Sequence, residues 1–150
     1  MYTWRVNEIP TEISGYFGTK AFENYPKIEI PQSFQDTRGE ILNIADGELG
    51  DVAVIRSKAK AIRANHVHKS DWHLSYCLSG SLKYSFIPLG EEVVTLKIES
   101  GELFFTPEQT PHRMDFLEDT VLVVISRNSR KRDKYEEDTK KFFLDIELSS

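Results

Sequence analysis

The sequence predicts an all-β domain, an antiparallel sandwich or barrel, and three observations carry that expectation. Between Glu40 and Ser126 the chain is a succession of short apolar or alternating runs. Turn residues separate them at close intervals, with no long helical period in between. Where alternation is cleanest it has period two: Leu82, Tyr84 and Phe86 fall on one face and Lys83 and Ser85 on the other.

The strands expected in order are 40–44, 51–56, 74–78, 82–87, 93–98, 103–106 and 120–126. The breaks are Asp46-Gly47-Glu48-Leu49-Gly50, Ser79-Gly80, Pro88-Leu89-Gly90, Ser100-Gly101 and the stretch from Pro107 to Pro111. Ser79-Gly80 suits a tight hairpin pairing its two flanking strands. Residues 1–35 carry Pro10, Gly15, Gly18, Pro26 and Pro31 among aromatics, which suggests an irregular or strand-forming arm. Residues 36–126 form the barrel. Residues 127–150 supply a C-terminal helix and tail of the same domain: Arg130 to Phe143 has high helix propensity, and Asn128-Ser129 offers an N-cap.

Composition narrows the function classes. With 150 residues and 39% apolar content the chain forms one domain with a sizeable core. A net charge of −5 argues against non-specific nucleic-acid binding. Its one basic cluster, Arg127, Arg130, Lys131 and Arg132, meets acidic Asp133, Glu136, Glu137 and Asp138, as on a solvated helix. The single cysteine, Cys77, lies in an apolar run and reads as a packing residue, so no disulfide framework exists. No leader-like N-terminus and no membrane-length apolar run is present, and the expectation is a cytoplasmic protein with no membrane partner.

All four histidines fall in two short stretches, Arg63-Ala64-Asn65-His66-Val67-His68-Lys69-Ser70-Asp71-Trp72-His73 and Pro107-Glu108-Gln109-Thr110-Pro111-His112. His66 and His68 are two apart, so on a strand both imidazoles leave one face. The polar stretch Lys69-Ser70-Asp71 can turn the chain and return His73 to that face, and His112 comes from another strand. This pattern suits a metal or proton-transfer site inside a barrel. Four separately hydrogen-bonded histidines lining the barrel is the competing reading.

The two stretches resemble the paired motifs of the cupin superfamily, a double-stranded β-helix or jelly-roll barrel. His66, His68, His73 and Gly80 match the first motif, and Gly101, Pro107 and His112 the second. The resemblance implies that His66, His68, His73 and His112 bind a divalent metal, with His73 in place of the usual glutamate. Neutral imidazole suits zinc, iron, manganese, nickel or copper. Lys60 and Gln109 stand where the motifs carry glycine, and Phe116 where they carry asparagine.

Arg63 to Lys69, Phe104 to Pro107 and Ser126 to Arg130 look like small cupins of bacterial nucleotide-sugar and surface-polysaccharide biosynthesis, similar to dTDP-sugar 3,4-ketoisomerases and dTDP-4-dehydrorhamnose 3,5-epimerases. The ketoisomerases carry Arg-Gly-x-His-x-His, which residues 63–68 match except at Ala64. The epimerases use a histidine with a carboxylate, and the sequence assigns no aspartate to that pair. Asp36-Thr37-Arg38-Gly39 resembles the entry turn of sugar cupins.

The chemistry implied is proton transfer next to the keto group of a 4-keto sugar, by a base of near-neutral pKa and a matching acid. His66 or His68 is the candidate base and Tyr76 or Tyr84 the candidate acid, each tyrosine fitting core packing as well. Arg63 suits a nucleotide diphosphate, or equally a surface or intersubunit ion pair. Trp72 and Phe105 suit stacking on a sugar or base, or burial in the core. A metal-dependent iron dioxygenase and a non-catalytic ligand-binding or structural cupin remain alternatives to the isomerase or epimerase. A homodimer is expected, because an uncovered sheet edge is a liability.

Overall fold

The computed structural model describes residue 6 and residues 8–144; the first five residues of the expected arm and the tail at 145–150 lie outside the described residues. Strands and helices follow the chain as α1 (Thr11–Phe17), a short 3-10 turn (Lys20–Phe22), β1 (Lys27–Ile28), β2 (Gln32–Asp36), β3 (Gly39–Asn43), β4 (Asp51–Ser57), β5 (Ile62–His68), β6 (His73–Ser79), β7 (Ser81–Phe86), β8 (Val94–Glu99), β9 (Leu103–Thr106), β10 (His112–Phe116), β11 (Thr120–Ser126), α2 (Arg132–Asp138) and β12 (Thr139–Lys141).

Two five-stranded antiparallel sheets face each other, ordered β1-β9-β6-β11-β4 and β12-β5-β10-β7-β8, and β2 and β3 form a separate hairpin. Period-two alternation drives this arrangement. Leu82, Tyr84 and Phe86 of β7 are all fully buried, as their spacing predicts. They meet residues of the opposite sheet: the Tyr84 ring lies 5.0 Å from that of Phe104 on β9. Cys77 is fully buried in the same core, and burial pushes its thiol up to about 11, which removes it from thiolate chemistry at neutral pH.

Three sequence expectations need correction. Ser79-Gly80 does not close a hairpin, because β6 and β7 belong to different sheets. Gly80 is instead the crossing point, with φ of 94°, and a Cβ there would meet the Thr120 hydroxyl oxygen at 2.4 Å and the Asp119 carbonyl at 2.6 Å. The second correction concerns the C-terminal helix, which runs only from Arg132 to Asp138; residues 139–141 then turn into β12 and pair with β5. Covering that sheet edge competes successfully with helix propensity over this stretch. Its N-cap is Lys131, with no side-chain cap, although the Ser129 hydroxyl accepts the Lys131 amide at 3.2 Å.

The third concerns the arm, which is partly helical. Ile13 and Phe17 stand four apart on α1, the spacing that puts two side chains on one helix face, and both are buried with Phe22 against Phe105 of β9. Asp36 and Arg38 close the β2–β3 hairpin, the Asp36 carboxylate accepting the Arg38 amide at 2.9 Å and its Nε at 3.0 Å.

Candidate active site

The second sheet supplies three of the histidines. His66 and His68 leave the same face of β5, and β10 places His112 directly opposite His66 in the strand register. A bulge makes this possible: Arg113 pairs with Ala64, so the chain gains a residue at Asn65. Ala64 and Asn65 adopt φ of 67° and 53°. Ala64 thus occupies a left-handed conformation at the position where the ketoisomerase signature carries glycine. Lys60 and Gln109 do the same, with φ of 72° and 59°. All three glycine departures therefore keep the backbone shape that glycine serves.

The first sheet supplies the fourth histidine. After the turn over residues 69–72, His73 opens β6 and faces the other three across the barrel. The ring centroid of His68 lies 4.5 Å from His66, 4.5 Å from His73 and 5.5 Å from His112, while His66 and His112 are 4.7 Å apart. The sequence-predicted cluster is thus assembled from three strands of two sheets.

Hydrogen bonds fix what each ring presents. His112 donates Nδ1–H to the Thr110 carbonyl at 2.9 Å, and His68 donates Nδ1–H to the Asp138 carboxylate at 3.2 Å, so both keep a lone pair on Nε2. The Nε2 of His68 is buried and has no hydrogen-bond partner among the described residues. Such an atom costs about 1–3 kcal/mol unless it takes a ligand. Burial, then repulsion from the neighbouring histidines, holds His66 down to about 3; burial and His73 hold His68 down to about 4. Burial does the same to His112, well below the usual histidine range.

Three neutral imidazoles with a free nitrogen each, all within 4.8 Å of one another, make a donor set suited to a divalent transition metal. His73 differs. Its Nε2 lies 3.0 Å from the carboxylate of Asp71, which is buried and whose other oxygen accepts the Asn128 amide at 3.0 Å. This is a histidine–carboxylate pair, and it leaves Nδ1 of His73 as the basic nitrogen. His68, Asp71 and His73 form a second grouping with ligand atoms at metal-binding distances.

A cavity of about 150 Å³ adjoins the cluster, lined by Arg63, His66, His73, Ser75, His112, Arg130 and Tyr135 among others. Arg63 is braced by the Ser57 hydroxyl at 2.7 Å. Tyr135 on α2 sets its ring 6.4 Å from His66 and 5.8 Å from His68, with the Arg130 guanidinium 5.7 Å above it.

The other sequence-predicted site residues do not line this cavity. Tyr76 follows Ser75 on β6 and so leaves the opposite face, packed against the core. Tyr84 is fully buried in the barrel, its hydroxyl shared with Thr106 at 2.7 Å, and burial raises its pKa well above the usual phenol range. Phe105 pairs with Leu74 in register, on the face away from His73 and Thr106, and Trp72 lies 6.1 Å from it; both are buried under the N-terminal segment.

Asp71, Arg130, Tyr135 and Asp138 were not singled out by sequence reasoning. Asp71 carried a signal, an aspartate two residues before a clustered histidine. The other three sit in a stretch whose charge pattern reads as a solvated helix.

No family model matches the chain, and no curated protein matches it. Its fold, a jelly roll of the RmlC-like cupin kind, is shared with solved structures. A dTDP-4-dehydrorhamnose 3,5-epimerase from Elizabethkingia anophelis is similar with a TM-score of 0.64 and 17% identity, over 82% of this chain and 81% of that one. The sugar 3,4-ketoisomerase QdtA from Thermoanaerobacterium thermosaccharolyticum, solved in complex with TDP, is similar with a TM-score of 0.61 and 22% identity, over 73% and 82%. The capsular polysaccharide assembling protein CapF from Staphylococcus aureus is similar with a TM-score of 0.58 and 20% identity, over 80% of this chain but only 35% of that protein's length. Among the described residues no helix is long and apolar enough to cross a membrane.

Proposed function

We propose that this chain is a metal-binding cupin enzyme, an isomerase or epimerase of a 4-keto sugar carried on a nucleotide, acting in the cytoplasm in bacterial surface-polysaccharide biosynthesis. One observation carries the reading: a buried histidine–aspartate pair, His73 with Asp71, stands beside the cluster of three neutral histidines, and His73 shares the lining of one cavity with His66 and His112. The structural neighbours support the substrate class, one of them being solved with TDP and two being named for dTDP-sugar or sugar keto chemistry.

His66, His68 and His112 would hold the metal through one ring nitrogen each. A bound zinc, iron, manganese or nickel ion supplies Lewis acidity that polarises a substrate carbonyl. His73 takes the acidified proton beside that carbonyl on Nδ1. Asp71 then stabilises the imidazolium and holds its orientation, the role a buried carboxylate plays behind a catalytic histidine. The Tyr135 hydroxyl, on the same cavity, is placed to return a proton to the enolate. Arg63 and Arg130 line the cavity as guanidiniums suited to the diphosphate.

The test is proton exchange. The metal-loaded protein incubated with dTDP- or UDP-linked 4-keto sugars in deuterium oxide should place deuterium at the carbon beside the keto group, read by NMR. Asp71→Asn should slow that exchange about 100- to 10,000-fold, the range for losing a positioned base. Absence of both binding and exchange across these sugars overturns the reading.

The same chain is proposed to act as a homodimer. On the isolated β2–β3 hairpin Phe34 and Ile41 are paired and 54% and 67% exposed, and the edge strand β4 exposes Val52 and Val54. A two-stranded hairpin with an uncovered apolar face gains stability from a second copy.

A further inference from the structure

Asp138 is bonded to the segment at residues 68–70 at more points than its place at the end of a short helix requires. Its Oδ1 accepts the Ser70 amide at 2.7 Å and the Ser70 hydroxyl at 2.9 Å, and its carbonyl accepts the Lys69 amide at 2.9 Å. Its Oδ2 accepts Nδ1–H of His68 at 3.2 Å. Residue 138 thereby clamps residues 68–70, the start of the turn that leads to Asp71 and His73. Immediately after it, β12 pairs Thr139 with His68 and Lys141 with His66.

We propose that Asp138 is the positioning residue that sets the tautomer of His68, and that the C-terminal segment α2–β12 is thereby part of the metal site. The inference rests on the metal reading above. A proton held on Nδ1 leaves the lone pair on Nε2, the buried atom with no hydrogen-bond partner that faces His66 and His112. With the proton on Nε2 instead, His68 could not be a ligand through that atom. Among the described residues the Thr139 hydroxyl oxygen also lies at Nδ1, at 3.3 Å, a neutral group that can donate as well as accept and so specifies neither tautomer.

The carboxylate geometry yields a discriminating pair of variants. In Asp138→Asn the amide oxygen is claimed by the two Ser70 donors, so the NH2 turns toward His68 Nδ1. Two donors cannot face each other, and the ring is driven to the Nε2–H form. Asp138→Ala removes the partner without imposing the wrong tautomer.

The experiment reads two quantities on the full chain. Long-range proton–nitrogen NMR of the metal-free protein reports the His68 tautomer, and titration with cobalt(II) against a chelator reports affinity. The expected result is His68 as Nδ1–H in the unmodified protein and Nε2–H in Asp138→Asn, with cobalt bound about 10- to 100-fold more weakly by that variant and a smaller loss in Asp138→Ala. A clamp with only structural weight predicts the reverse order, with alanine the worse substitution and the tautomer unchanged. His68 remaining Nδ1–H in Asp138→Asn, or cobalt affinity there within about twofold of the unmodified protein, overturns the proposal. An unmodified protein that binds no cobalt overturns the metal reading, while the tautomer comparison still decides the role of Asp138.

Discussion

Replacing Lys60, Ala64 and Gln109 together by glycine should raise the melting temperature of this protein. Each residue sits at positive φ, 72°, 67° and 59° respectively, where a side chain crowds the backbone. An L-residue in that region costs about 1–2 kcal/mol, and glycine returns about 0.5–1 kcal/mol of the gain as chain entropy. The net is about 0.5–1 kcal/mol per site, or about 2 kcal/mol for the three, since the exposed side chains of Lys60 and Gln109 surrender little packing. For a chain of this size that corresponds to about 4–8 °C. The backbone bonds at the two outer sites survive the change: Lys60 donates to the Phe116 carbonyl at 2.8 Å and Gln109 to that of His68 at 2.7 Å. Thermal melts by circular dichroism, with and without added zinc, are the assay. A triple variant that melts at or below the parent temperature would show that these backbones carry no strain, and the account of the three glycine departures would fail with it.

Metal should leave with the ligands. Elemental analysis of the purified protein should find about one metal ion per chain, lost in both His66→Ala and His112→Ala; retention by either variant would remove that residue from the site. For the metal-free protein, stability should fall on acidification. His66 and His68 titrate near 3 and 4 when folded, below the ordinary value of 6.5 at which the unfolded chain takes up protons. Their contribution is therefore complete above pH 6.5 and declines toward pH 4, by about 1.4 kcal/mol per pH unit for each histidine so affected. Urea midpoints between pH 7.5 and 4.5 measure it, and a flat profile would contradict the burial of neutral rings. Light scattering should return a dimer mass, and Phe34→Glu with Ile41→Lys should shift it to monomer.

Much of this architecture was legible because it rests on period-two alternation. Leu82, Tyr84 and Phe86 declare their common face, and the histidines declare themselves by clustering. Where the reading went astray, a non-local interaction decided. Ser79-Gly80 has hairpin chemistry, but Gly80 is required for its close approach to Asp119 and Thr120, contacts from about forty residues away. Residues 139–141 have helix-compatible side chains, yet the open edge of β5 draws them into a strand. Tyr76 is a candidate acid by residue type, but it follows Ser75 in register and so leaves the face away from the cavity, packed against the core. Asp138 lies seventy residues from His68, and only the fold makes them partners.

On the proposed reading the four histidines divide into three metal ligands and one base, each neutral ring offering a single free nitrogen to one of the two tasks. His68 belongs both to the grouping with His66 and His112 and to the grouping with Asp71 and His73, and a single ring nitrogen can serve only one ion. In the second grouping a ligand role for Asp71 would compete with the hydrogen bonds that its oxygens accept from the Asn128 amide and from His73. That choice would also leave the half-buried His66 and the buried His112 as neutral rings without a cation to face. The first grouping disturbs no hydrogen bond, since the Thr110 carbonyl and the Asp138 carboxylate already occupy the far nitrogens of His112 and His68. It leaves the His73–Asp71 pair intact on the other sheet. A nitrogen bound to metal has given up the lone pair a base needs, so both functions fit in one barrel only if separate rings perform them. On the proposed reading, the hydrogen bonds that the histidines donate to Thr110, Asp138 and Asp71 would set that separation before any substrate arrives.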